Sequence, residues 1–124
     1  MQRITVYASQ KFFDDHNAER LRLISNLLRE SVGKCFGFPN GYNVSITYIA
    51  RAYGSNSADC DIHVEYSLND DLKSPYQTEL ITTISQNLWT IIRNLRIRNV
   101  LTQGHYSVLV TPRPYAKYSV EYLN

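Results

Sequence analysis

Apolar and polar residues alternate from the start of the chain. Ile4, Val6 and Ala8 interleave with Arg3, Thr5 and Tyr7, the period-two pattern of a strand with one buried face. From about Asp14 to Val32 the period lengthens: Ala18, Leu21, Ile24, Leu28 and Val32 recur at three and four, with Leu27 widening the stripe. Glu19, Arg20, Arg22, Arg29 and Glu30 lie mostly off it, so the spacing predicts an amphipathic helix, with Gly33 as its natural stop. After the turn signal Pro39-Asn40-Gly41, Val44, Ile46, Tyr48 and Ala50 alternate with Asn43, Ser45 and Thr47, predicting a second strand from about Tyr42. The polar stretch Gly54 to Asp59 then leads into a third strand, antiparallel to the second, in which Ile62, Val64, Tyr66 and Leu68 alternate with Asp61, His63, Glu65 and Ser67.

Ser74-Pro75-Tyr76-Gln77 has the form of a capping box, with a serine N-cap, proline at the first helical position and glutamine three residues on. Leu80, Ile84, Leu88, Ile91 and Leu95, widened by Ile81 and Ile92, carry the stripe of the helix that follows. Beyond Gly104, Tyr106, Val108 and Val110 alternate with Ser107, Leu109 and Thr111 up to Pro112 and Pro114. In the tail, Ala116, Tyr118, Val120 and Tyr122 share one face, and Lys117, Ser119 and Glu121 the other. The order is β-α-β-β-α-β with a short C-terminal β-segment: an α+β chain of two βαβ units. Right-handed crossovers place both helices on one face of one sheet. The other face is left bare, and its tyrosine-rich edge segments call for cover by further subunits.

Composition narrows the classes. At 124 residues and 44% hydrophobic, one core forms and two do not, so residues 1–124 are read as a single domain. The apolar runs are too short to span a bilayer and Met1-Gln2-Arg3-Ile4 opens no signal core, so a cytoplasmic location without membrane contact is expected. Thirteen basic against 11 acidic residues leave a net charge of +2, too balanced to imply a nucleic-acid partner. Arg93, Arg96 and Arg98, the one local excess, meet the negative end of the second helix. The ten tyrosines suit sheet packing and subunit contact. Cys35 and Cys60 are expected to be reduced, and together with His16, His63 and His105 they show no metal-ligand spacing. The histidines are read as surface or strand residues, and Asp14-Asp15 and Asp70-Asp71 as helix-entry and loop residues. No glycine-rich phosphate loop or nucleophile elbow is present, and no cofactor or metal is implied.

The element order fits a ferredoxin-like fold and also resembles the tautomerase superfamily. Gly33-Lys34 after the first helix, and Tyr53-Gly54-Ser55-Asn56-Ser57-Ala58-Asp59-Cys60, look like the macrophage migration inhibitory factor branch. The length and the strand from Ser107 to Pro114 are more similar to the 5-carboxymethyl-2-hydroxymuconate isomerase branch. The resemblance implies two βαβ halves per subunit, a homotrimer, and an amino-terminal proline whose amine burial keeps neutral as a general base for keto-enol substrates. Met1 stands at that position instead. Because Gln2 is bulky, Met1 is expected to be retained, supplying a primary amine that titrates near ~7.7–8.0 before perturbation. Its longer side chain crowds the mouth of the pocket.

By the same resemblance, Lys34 corresponds to the lysine that attracts a substrate carboxylate, Leu68 to an apolar backbone-contact position, and Tyr106 to a tyrosine contributed by a neighbouring subunit. Read on their own, Lys34 is an ordinary lysine near a helix C-terminus and Tyr106 a packed strand residue. The isomerase branch carries arginines in its second strand, whereas Asn43, Ser45 and Thr47 are neutral here and only Arg51 is near. Two functions follow. One is a tautomerase-like homotrimer, a weak keto-enol tautomerase or a binder of a small carboxylate, with the Met1 amine in place of proline. The other is a non-catalytic interaction or assembly module with a ferredoxin-like fold.

Overall fold

The computed structural model describes residues 2–37, 41, 44–51, 62–68, 76–111 and 116–124. Along the chain come β1 (Gln2–Ser9), α1 (Gln10–Asp15), α2 (Ala18–Gly33), a 3₁₀ turn (Lys34–Phe36), β2 (Val44–Arg51), β3 (Ile62–Leu68), α3 (Tyr76–Ile97), β4 (Gly104–Val110) and β5 (Lys117–Leu123). The strands form one five-stranded sheet in the order β2-β1-β3-β4-β5. β1 is parallel to β2 and β3 to β4, while β1 with β3 and β4 with β5 are antiparallel. Both parallel pairs carry a helical crossover, as the two predicted βαβ units require. The third strand does run opposite to the second, but it does not pair with it: β1 lies between them.

One face of the sheet is covered. Ile4, Val6 and Ala8 from β1, Ile62, Val64 and Tyr66 from β3, and Tyr106, Val108 and Val110 from β4 are buried with the apolar stripes of α2 and α3 in a single cluster. The stripe of α3 (Ile81, Ile84, Leu88, Ile92 and Leu95) enters this core at the predicted phase. Tyr48 of β2 ties the edge to α2, its hydroxyl 2.7 Å from Ser25 Oγ. Burial pushes the Tyr48 phenol up, and the Ser25 bond offsets part of that rise. At the other edge, Trp89 Nε1 donates to Ser119 Oγ at 2.6 Å. The Arg93 guanidinium holds the Glu121 carboxylate at 2.6 to 3.0 Å and lies 5.4 Å from the Trp89 ring centroid.

Two local readings are corrected. The first predicted helix is two, because the chain breaks at His16 and Asn17. Ser9 caps α1 and Asn17 caps α2, each side chain accepting a backbone N–H of the first turn. α2 ends at Gly33 as predicted, although Gly33 keeps helical angles and the left-handed turn comes after the 3₁₀ segment, at Gly37, whose φ is 80°. Asp14 closes α1 rather than opening a helix, and it accepts from Gln10 Nε2 at 3.1 Å. Of the predicted capping box, Ser74 and Pro75 lie outside the described residues, and α3 begins at Tyr76. The C-terminus of α3 is closed by Asn99 in a left-handed conformation, and Arg96 donates to the Asn99 side chain at 2.9 Å and to the Leu101 carbonyl at 3.2 Å.

Gly41 sets up the entry to β2. Its φ is +66°, its carbonyl accepts from Val44 N at 3.0 Å, and a Cβ there would stand 2.6 Å from the Arg29 carbonyl group. Gly41→Ala is therefore expected to lower stability by about 1–3 kcal/mol, since backbone must shift as well as strain. Urea unfolding measures it, and a change of midpoint within error would show that the turn relaxes freely.

Candidate functional site

The candidate residues are positioned by the pairing of β1. Gln2, its first residue, stands between Val44 of β2 and Leu68 of β3 in register. Because β2 runs parallel to β1, α2 must travel back along the sheet, and its C-terminus returns to the end where β1 begins. Arg29 fixes that return by donating its Nε–H to the Val44 carbonyl at 2.8 Å. Lys34 follows one turn later, exposed, its backbone N–H bonded to Glu30 O. Thus Lys34, the backbone of Leu68 and the first residue of β1 belong to one end of the sheet. Met1 lies outside the described residues.

Tyr106 is at the other end of its own chain: its register partner is Ile62, which in turn pairs with Ala8. Its ring is fully buried and its hydroxyl donates to the Thr102 carbonyl, so in the single chain it is a core residue.

Sequence reasoning passed over Gln2 as a site residue. It occupies an inward phase of β1, 7% exposed, and its Oε1 is buried with no hydrogen-bond partner among the described residues. An unsatisfied buried acceptor costs about 1–3 kcal/mol. A polar residue at the inward phase of an alternating strand was the available signal. The orphaned oxygen gives this end of the sheet an acceptor that a donor from outside the chain can satisfy.

A second polar cluster lies on the sheet face opposite the helices. His63 is 8% exposed, with Nδ1 2.5 Å from Ser107 Oγ and Nε2 3.0 Å from Glu65 Oε1. His63 is the strand residue that the sequence allowed for, whereas His16 is neither surface nor strand: it is buried between α1 and α2, its Nδ1 2.7 Å from the Phe12 carbonyl oxygen. Cys35 is a free thiol at the junction of α2 and α3. Burial pushes that thiol up, and the Asn87 amide, 3.3 Å from Sγ, only partly offsets it, so this sulfur is no ready thiolate. Cys60 lies outside the described residues. Among the described residues no group of three metal-ligating side chains comes together, and no helix is long and apolar enough to cross a membrane. A groove of about 550 Å³ lies far from Gln2, between α3 and β5, bordered by Trp89, Arg93, Lys117 and Glu121. Its arginine is already held by Glu121.

The backbone arrangement is shared with known structures. The chain is similar to "R7 fused 4-OT wild type asymmetric trimer" at 15% identity, over 88% of this chain and 84% of that one, with a TM-score of 0.52. It is likewise similar to "Q0 fused 4-OT wild type symmetric trimer" at 13% identity, over 90% and 85%, with a TM-score of 0.51. The chain shares the fold of those 4-OT structures. No protein-family model matches the chain, and no curated protein matches it.

If the Gln2 carboxamide is kept for a ligand, removing it should stabilise the empty protein. Gln2→Leu is expected to raise stability by about 1 kcal/mol, by deleting an unsatisfied acceptor at nearly constant volume. Denaturant unfolding of both chains decides it: a destabilised leucine variant would mean that the carboxamide is satisfied in solution.

Proposed function

We propose that this protein is a tautomerase-like homotrimer that binds a small carboxylate where β1 begins and has at most weak keto-enol tautomerase activity. In this reading the Lys34 ammonium is the counter-ion of the carboxylate, the backbone at Leu68 forms part of the wall, and Gln2 accepts from a ligand donor. A Met1 amine takes the place of the family's proline as a weak base. A primary amine titrating near ~7.7–8.0 is partly neutral at physiological pH, which suffices to accept a proton from an acidic α-carbon. Tyr106 is given a packing part, because its own chain encloses it.

The observation that carries this reading is the convergence of the start of β1, Leu68 and Lys34 at one end of a tautomerase-superfamily fold. The trimeric state of the similar fused 4-OT structures supports the assembly. So does the sheet face opposite the helices, where Tyr118, Val120 and Tyr122 are 59%, 46% and 50% exposed.

Enol-keto turnover of phenylpyruvate or hydroxymuconate tests the chemistry. A slow rate above background is expected, with Met1→Pro raising kcat and Lys34→Ala raising KM about tenfold, the loss of ~1.4 kcal/mol of ion pairing. Light scattering at micromolar concentration is expected to give the mass of three chains. Background rates in all the variants would remove the enzyme, and a monomer would remove the assembly.

A further inference from the structure

The strand β5 is tied to α3 rung by rung. Ser85, Trp89 and Arg93 stand four residues apart on one ridge of the helix, and Lys117, Ser119 and Glu121 alternate onto the strand face that meets it. Four residues of helix rise about 6.0 Å and two residues of strand about 6.6 Å, so the two rows keep step. Two rungs are closed. Arg93 holds the Glu121 carboxylate through Nε and Nη2 at 2.6 to 3.0 Å, and Trp89 Nε1 donates to Ser119 Oγ at 2.6 Å. The same step brings Ser85 and Lys117 to the third rung, where both border the groove of about 550 Å³. That rung is open: among the described residues neither side chain has a hydrogen bond or an ion pair.

What the open rung lacks is an acceptor. Lys117 brings an ammonium with three donors and no lone pair to offer. Ser85 is 1% exposed and yet borders the groove, so a buried wall carries a hydroxyl that the protein itself does not answer. Ser119 Oγ accepts the indole N–H and keeps its own hydrogen to donate. The one carboxylate in the lining, Glu121, is neutralised by Arg93, which leaves Lys117 as the uncompensated charge. A neutral guest gives that charge nothing; an anion answers it and the hydroxyls together. The volume falls within the range of small-molecule sites and exceeds what a bare inorganic ion fills.

We infer that the groove between α3 and β5 binds a small organic oxyanion, a carboxylate or phosphate group on a polar body, with its oxygens on the Lys117 ammonium and the hydroxyls of Ser85 and Ser119. The two closed rungs hold strand and helix at a fixed spacing, so the walls of the groove are set before the ligand arrives. This site is separate from the one proposed where β1 begins. β3 and β4 lie between β1 and β5, the two sites share no residue, and either can fail without the other.

Isothermal titration calorimetry of the full chain with gluconate, glucose 6-phosphate and inorganic phosphate, and with glucose as the neutral control, tests the class of ligand. Saturable binding of gluconate or glucose 6-phosphate is expected, weakening as salt is raised, and the tighter of the two names the head group as carboxylate or phosphate. Glucose should give no saturable heat. Trp89, the chain's one tryptophan, locates the ligand: its indole N–H resonance should shift in proportion to occupancy. Lys117→Gln should weaken binding about fivefold, the upper reach of an exposed charge pair, and Ser85→Ala should weaken it as well. Lys34→Ala, which acts at the other site, should leave it unchanged. Absence of saturable binding by either organic anion overturns the site, as does equal affinity for inorganic phosphate, which would show an adventitious ion only. An unmoved indole resonance, or undiminished affinity in both Lys117→Gln and Ser85→Ala, overturns it too. Should the Ser85 variant not fold, Lys117→Gln at its exposed position decides alone.

Discussion

The structure depends on β1 being paired on both sides while the described helices pack their apolar stripes against one face of the sheet. Gln2 through Ala8 are bonded to β2 on one flank and β3 on the other, so the chain's first strand is interior to a sheet whose remaining strands arrive later. Its inward residues Ile4, Val6 and Ala8 are buried to within 1%. Each such burial supplies about 1.5–3 kcal/mol for a large side chain. The outward residues of the same strands lie off that core, yet His63 and Ser107 among them are buried too. His63 bonds to both Ser107 and Glu65, while Tyr118 and Tyr122 of β5 stay exposed.

Much of this architecture is written in local periodicity, and what is not is non-local. Alternation located all five strands, and the three-and-four spacing located α3 with its buried stripe in phase. The same spacing ran across His16 and Asn17, where two side-chain features divide the helix: the Asn17 cap and the His16 ring folded back onto the Phe12 carbonyl. α2 does end at Gly33, as its identity suggested, but the left-handed position is Gly37, after a 3₁₀ segment that the pattern did not show. Strand order could not be read at all, because periodicity says which face is buried and not which strand lies alongside.

The same division separates the legible from the hidden parts of the site. Lys34 was placed by its position after α2, a sequence-local fact. His63 and Ser107 are 44 residues apart and meet only because β3 and β4 pair in register. A search for metal-ligand spacing could not find them. Gln2 was visible as a polar residue at an inward phase, but its significance needed the structure to show that nothing among the described residues answers its carboxamide oxygen. With sequence identities of 13% and 15% to the structures it resembles, what the chain shares with them is a backbone arrangement, and its chemistry has to be argued from its own side chains.

Trp89 is the chain's one tryptophan, and its indole nitrogen is bonded to β5, the last strand added to the sheet. Its fluorescence therefore reports on a specific event, the seating of that edge strand against α3. Emission that reddens before far-ultraviolet circular dichroism changes would mark a chain whose C-terminal edge has peeled away while the rest of the sheet persists.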